Sequence, residues 1–168
     1  MKRLAVMLST VLLCCAFAAQ AQVQGFSGKY TSPETTDESP SMASLSGRLY
    51  IAWKGVDSPP HLNVMVSTNG GHSFGNKTTS GETSGSAPSL ATHRGRLFIA
   101  WRGLPNNQLN VAEVTVDASG SPGALVRKYT SAETSTSGPV LMSTGNDLFI
   151  TWRGVGNNQL NVARVDVR

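Results

Sequence analysis

Four residue types recur together three times along this chain. A Glu-Thr pair comes first, at Glu34, Glu82 and Glu133. A tryptophan and a cation follow side by side: Trp53-Lys54, Trp101-Arg102 and Trp152-Arg153. An asparagine within Leu-Asn-Val closes each set, at Asn63, Asn110 and Asn161. Sugar recognition wants such a set. An aromatic face takes the C–H side of a pyranose, while charged and amide groups take neighbouring hydroxyls in paired hydrogen bonds. The candidate carbohydrate-binding residues are therefore Glu34, Glu82, Glu133, Trp53, Trp101, Trp152, Lys54, Arg102 and Arg153. The same residues also have a structural reading. Each tryptophan alternates with Leu and Ile along an apolar run, as a packing residue does, and glutamate with lysine or arginine can bridge neighbouring elements.

Other chemistries find little support. The only cysteines are Cys14 and Cys15, and His61, His72 and His93 occupy unrelated positions with no metal-ligand spacing. No nucleophile elbow occurs. Glycoside hydrolysis needs two carboxylates in unlike environments, whereas the recurring glutamates share one context. No metal or other cofactor is expected, and no catalytic residue is assigned.

The elements that must position these residues repeat with them. Gly47-Arg48-Leu49-Tyr50-Ile51-Ala52-Trp53 returns as Gly95-Arg96-Leu97-Phe98-Ile99-Ala100-Trp101 and again as Asn146-Asp147-Leu148-Phe149-Ile150-Thr151-Trp152. A period of about 50 residues fixes the architecture before any site chemistry. Four short segments emerge per repeat. Segment a follows a proline (Pro40, Pro88, Pro139), which is tolerated at a strand start and not in its middle. Segment b is the tryptophan run; Leu97, Ile99 and Trp101 point one way, Phe98 and Ala100 the other, so it must be covered on both faces. Segment c is Leu109 to Val116 and its equivalents. Segment d is Lys29-Tyr30-Thr31, Lys77-Thr78-Thr79 and Lys128-Tyr129-Thr130. Gly, Ser, Asn and Pro mark the junctions as turns. This spacing predicts an all-β protein, a β-propeller with three four-stranded blades per chain; a β-sandwich is the alternative.

Residues 1–21 read as a signal peptide. Lys2 and Arg3 precede an apolar stretch from Leu4 to Ala18, and Ala19-Gln20-Ala21 supplies the cleavage site. The expected address is secreted or periplasmic, with both cysteines removed and no membrane span in the mature chain. The full chain carries 14 basic and 10 acidic residues. Two of the basic ones fall in the leader, which leaves a nearly neutral domain with no basic stripe for nucleic acid. The expected domain is 22–168, with a d strand at 25–31 and blades at about 32–79, 80–130 and 131–168.

The phrase Ser67-Thr68-Asn69-Gly70-Gly71-His72-Ser73-Phe74 resembles the Asp-box (BNR repeat), Ser-x-Asp-x-Gly-x-Thr-Trp, of bacterial sialidase-like β-propellers. Asn69 stands for the Asp, Ser73 for the Thr and Phe74 for the Trp. Asp117-Ala118-Ser119-Gly120 keeps a trace of it. The resemblance spans about residues 29–168 and implies a propeller fold, with the box as a structural hairpin between segments c and d. Sialidases of the family use an arginine cluster, a Tyr–Glu nucleophile pair, an acid/base Asp and an Arg-Ile-Pro motif. No Arg-Ile-Pro occurs here, and Tyr30, Tyr50, Tyr129, Arg102 and Arg153 occupy repeated positions instead of converging on one point.

Three blades do not close a ring. The N-terminus supplies a segment d with no a, b and c before it, and the third repeat supplies a, b and c. A homodimer is therefore expected, two chains closing head-to-tail into six blades, with each N-terminal strand completing the partner's last blade. The function expected is an exported, non-catalytic, lectin-like binder of a glycan or glycoconjugate. An interaction scaffold and a degenerate sialidase or other glycoside hydrolase are the alternatives.

Overall fold

The computed structural model describes Val23 and residues 25–168; the expected signal peptide lies outside the described residues. The described residues are all-β. Eleven strands form three antiparallel sheets. The first sheet contains β1 (Ser41–Leu45), β2 (Arg48–Lys54), β3 (His61–Ser67) and β4 (Gly75–Thr83). The second contains β5 (Ser89–His93), β6 (Arg96–Arg102), β7 (Gln108–Val116) and β8 (Pro122–Thr134). The third contains β9 (Val140–Ser143), β10 (Leu148–Arg153) and β11 (Leu160–Val165). Each sheet is a meander whose strands pair in chain order. Segments a, b and c become the first, second and third strands, and the three prolines sit just before β1, β5 and β9.

The strands form where the apolar run alternates its faces, and the sheets stack because both faces are apolar. Leu97, Ile99 and Trp101 join Tyr50, Ala52, Leu62 and Val64 in one core between the first and second sheets. Phe98 and Ala100 join Leu109, Leu148, Ile150 and Trp152 in another, between the second and third. Successive residues of β6 thus serve different cores, as the alternation requires. Both interfaces thus set the Tyr/Phe-x-Ala face of one sheet against the Leu-x-Ile-x-Trp face of the next.

Serine hydroxyls fix the stacking register. Ser41 Oγ accepts the Leu90 amide at 2.9 Å, and Ser89 Oγ accepts the Leu141 amide at 2.9 Å. The first strands of the sheets are therefore neighbours in the same relative position. The phenol of Tyr50, almost fully buried, donates to the Gly120 carbonyl at 2.8 Å across the first core. Burial raises its pKa above the ordinary range.

Two boundaries differ from the sequence reading. Segment d runs further than expected, to Thr83 and Thr134, because each fourth strand passes through an irregularity and pairs again. Asn63 faces Thr79, yet His61 faces Thr83; Asn110 faces Thr130, yet Gln108 faces Thr134. Glu82 and Glu133 consequently lie inside strands instead of in linkers. Residues 25–31, expected as a d strand, form no strand in the single chain. A strand needs a neighbour for its N–H and C=O groups, and none is paired to this segment here. Tyr30 rests against Phe74 instead, ring centroids 5.8 Å apart.

Removing only the Tyr50 hydroxyl should leave the Gly120 carbonyl unpaired in the core. Tyr50→Phe is expected to lower unfolding stability by about 1–2 kcal/mol, against less than about 0.5 kcal/mol for Tyr129→Phe at the surface. Urea midpoints at one protein concentration measure this, and equal midpoints for both variants would refute the role given to that bond.

Candidate functional site

The three tryptophans are core residues. Trp53, Trp101 and Trp152 are 4%, 0% and 9% exposed, so their faces are not open to a sugar in this chain. Over two of them, Trp53 and Trp101, lies a repeated ion pair. Lys77 Nζ lies 5.7 Å from the Trp53 ring and 2.6 Å from Glu34 Oε2. Lys128 Nζ lies 5.7 Å from the Trp101 ring and 2.7 Å from Glu82 Oε2. In both four-stranded sheets the fourth strand thus lays its lysine over the tryptophan of its own sheet, and a glutamate from the preceding part of the chain pairs with it, Glu34 ahead of β1 and Glu82 in β4 of the first sheet. Glu133 has no cationic partner among the described residues. Sequence reasoning placed Glu and Trp together and missed the lysine, although Lys29, Lys77 and Lys128 recur at the same place in segment d.

Lys54, Arg102 and Arg153 belong to a different locality. Lys54 is buried and pairs with Asp37 at 2.5 Å; the bond from that ammonium holds Asp37 below the usual carboxylate range. Arg102 donates to the Gly85 carbonyl, to Asn107 Oδ1 at 2.6 Å and to Ser86 Oγ at 3.3 Å. Arg153 is exposed and donates through Nε to Thr136 Oγ1 at 2.9 Å; its two terminal nitrogens have no partner among the described residues. The nine candidate residues therefore divide into a Glu/Trp group, of which Glu34, Trp53, Glu82 and Trp101 meet the lysines of the fourth strands, and a cation group at the sheet ends.

The loops beside the cations are built alike. Gly103 N donates to Gln108 O and Gly154 N to Gln159 O, both at 2.9 Å. Asn110 and Asn161 each cap their loop through Nδ2 at 3.0 Å from the same glutamine carbonyls. Asn106 bonds the Gln108 side chain, and Asn157 bonds that of Gln159 at 2.8 Å. Asn107 and Asn158 take positive φ, 61° and 55°, which asparagine tolerates better than most residues. The result is a hydrogen-bonded loop with an arginine at its base and an exposed aliphatic side chain, Leu104 or Val155, after its glycine. In the first sheet this place is taken by Val56, Asp57 and His61. There Asp57 accepts His61 Nδ1 at 2.7 Å, and that bond lowers its pKa.

The stretch Ser67–Phe74 is the β3–β4 turn. Asn69 Oδ1 accepts the Ser73 amide at 3.0 Å and the Ser67 hydroxyl at 2.9 Å, while Ser67 Oγ accepts the Gly71 amide at 2.9 Å. Asp117 does the same work in the β7–β8 turn, accepting Ser119 Oγ at 2.6 Å and the Ser121 amide at 2.9 Å. These bonds close the two turns. Among the described residues no group of three or more His, Cys, Asp or Glu could hold a metal ion, and no helix is long and apolar enough to cross a membrane. No protein-family model matches the chain, and no curated protein matches it.

One carboxylate is held by two arginines. Glu113 on β7 accepts from Arg96 and, at 2.5 Å, from Arg127. Arg96 first, then Arg127, hold the carboxyl below its ordinary 4.5. As pH falls, the unfolded chain binds this proton before the folded one does. The contribution to stability is then full above pH 4.5 and declines as pH drops towards the folded value. Glu113→Gln is expected to flatten the acid-side fall of the thermal midpoint below that pH; an unchanged slope would contradict it.

Proposed function

We propose that this chain is an exported, non-catalytic carbohydrate-binding module of β-propeller type, two copies forming a six-sheet ring. The observation that supports binding is the repeated rim loop. Arg102 and Arg153, each with an aliphatic neighbour and a constrained pair of amides, stand at the same end of successive sheets. An apolar spot beside guanidinium and amide donors suits the mixed surface of a saccharide. Arg153 is the best placed of the cations, because both its terminal nitrogens are available. Arg102 spends its own on Gly85 and Asn107.

The tryptophans serve this reading indirectly, by holding the sheets that carry the loops. Copies of a weak site on one rigid body gain avidity without any new contact. Hydrolysis is disfavoured because Glu34 and Glu82 are each paired with a lysine in the same setting, whereas a glycosidase sets its two carboxylates apart. The exported address rests on the sequence of residues 1–21 alone.

A glycan array probed with labelled protein tests the proposal. Binding to at least one saccharide class is expected, with Arg153→Ala weakening it about tenfold or more and the Arg102→Ala, Arg153→Ala double variant abolishing it. Unaltered binding in the double variant would exclude the rim loops. Turnover of a fluorogenic sialoside would replace the binding module with an enzyme.

A further inference from the structure

The stack has two unlike ends. At one end the Leu49-Ile51-Trp53 face of the first sheet has no sheet before it among the described residues. Met42, Ile51 and Met65 form one cross-strand row there, and with Tyr30 and Phe74 they line a groove of about 300 Å³. At the other end the Phe149-Thr151 face of the third sheet has no sheet after it among the described residues. Val140, Thr151 and Val162 form one row, and Met142 pairs with Phe149. Leu160 and Val162 are 80% and 64% exposed. In the two internal interfaces these same repeat positions meet each other.

Among the described residues the third sheet also has an open edge, where β11 has no fourth strand of the kind that β4 and β8 supply elsewhere. Three groups beside that edge lack the partners their equivalents possess. Asn63 Oδ1 accepts the Thr79 hydroxyl and Asn110 Oδ1 the Thr130 hydroxyl, both at 2.6 Å; Asn161 Oδ1 has no donor among the described residues. Glu34 and Glu82 hold lysines, and Glu133 holds none. Trp53 and Trp101 lie under ammonium groups, and Trp152 instead borders a groove of about 400 Å³ that Glu133 and Tyr129 also line.

The missing partners are all present in one described segment. Lys29-Tyr30-Thr31 is the first copy of Lys77-Thr78-Thr79 and Lys128-Tyr129-Thr130. In the single chain Lys29 makes no ion pair among the described residues, and the segment has no strand neighbour. It cannot serve its own third sheet, because Tyr30 rests on the first sheet and the second sheet stands between.

We infer that residues 25–31 add as the fourth strand to β11 of a second copy of this chain. Lys29 then pairs with the other copy's Glu133 and lies over its Trp152. Thr31 donates to its Asn161, in the register that Thr79 and Thr130 keep with Asn63 and Asn110. Tyr30 stays against Phe74, so the added strand brings its own first sheet onto the uncovered Phe149-Thr151 face. The contact is head-to-tail, and two copies exchange it reciprocally if the ring closes at six sheets. This assignment of the joining strand rests on the six-sheet reading above.

Charge reversal distinguishes the outcomes. Lys29→Glu and Glu133→Lys each put like charges at both joints of a homodimer, whereas an equimolar mixture restores opposite charges at both. Light scattering after size exclusion, at low ionic strength, is expected to give a wild-type dimer. Each single variant should associate about tenfold more weakly or worse, and the mixture and the Lys29→Glu, Glu133→Lys double variant should both recover. A wild-type monomer, single variants that associate like wild type, or singles that mixing does not rescue would overturn the inference. A separate variant guards against misfolding. Thr31→Cys with Asn161→Cys should give interchain disulfides on a non-reducing gel; links confined to one chain would also overturn it. A larger assembly that obeys the charge rule would reject the six-sheet ring and uphold the strand addition. Glycan binding is read separately from either result.

Discussion

A strand that is apolar on both faces cannot stop at one layer. That constraint, set by the alternation in Leu97-Phe98-Ile99-Ala100-Trp101, governs the whole molecule. The second sheet satisfies it with a neighbour on each side, so its β6 is almost wholly buried. The first and third sheets carry the same two-faced strand with one chain-internal neighbour each. Everything characteristic of the ends follows from this, including the exposed Val140, Met142 and Val162 and the groove that Tyr30 lines. Each uncovered face carries residues suited to a covering layer.

Polar groups decide how the layers register. Apolar packing is non-directional and would tolerate sliding of one sheet over another. The serine-to-amide bonds between first strands and the Glu–Lys–Trp contacts at the fourth strands remove that freedom at two opposite sides of the stack. The ion pairs are partly solvated, and each one is worth little in isolation. Their value lies in specifying which lysine meets which glutamate, hence which sheet follows which.

Much of this was legible in the sequence. The period of the tryptophan runs gave the number of sheets, and two-residue alternation gave the split of β6 between two cores. The prolines marked strand starts correctly because a missing N–H is costly only inside a ladder. The candidate site was less legible. Glu82, Trp101 and Arg102 are close in the repeat, but Arg102 ends its strand at the rim while Trp101 points into the core and Glu82 lies under a lysine. A linear repeat shows which residues share a unit and not which side of it they occupy. The extensions of β4 and β8 were likewise hidden, since they depend on an irregular re-pairing at His61–Thr83 and Gln108–Thr134 that no local propensity announces.

The two cores share no side chain, yet they share a wall. Ile99 belongs to one and its sequence neighbours Phe98 and Ala100 to the other, so a single strand forms the partition between them. A void opened on one side has no soft layer in which to dissipate, because close-packed interiors transmit displacement. Any shift of the β6 backbone towards Tyr50 is also a shift away from Leu148. The sheets are thus mechanically in series, and a deformation introduced at one end of the stack is handed on, strand by strand, to the other.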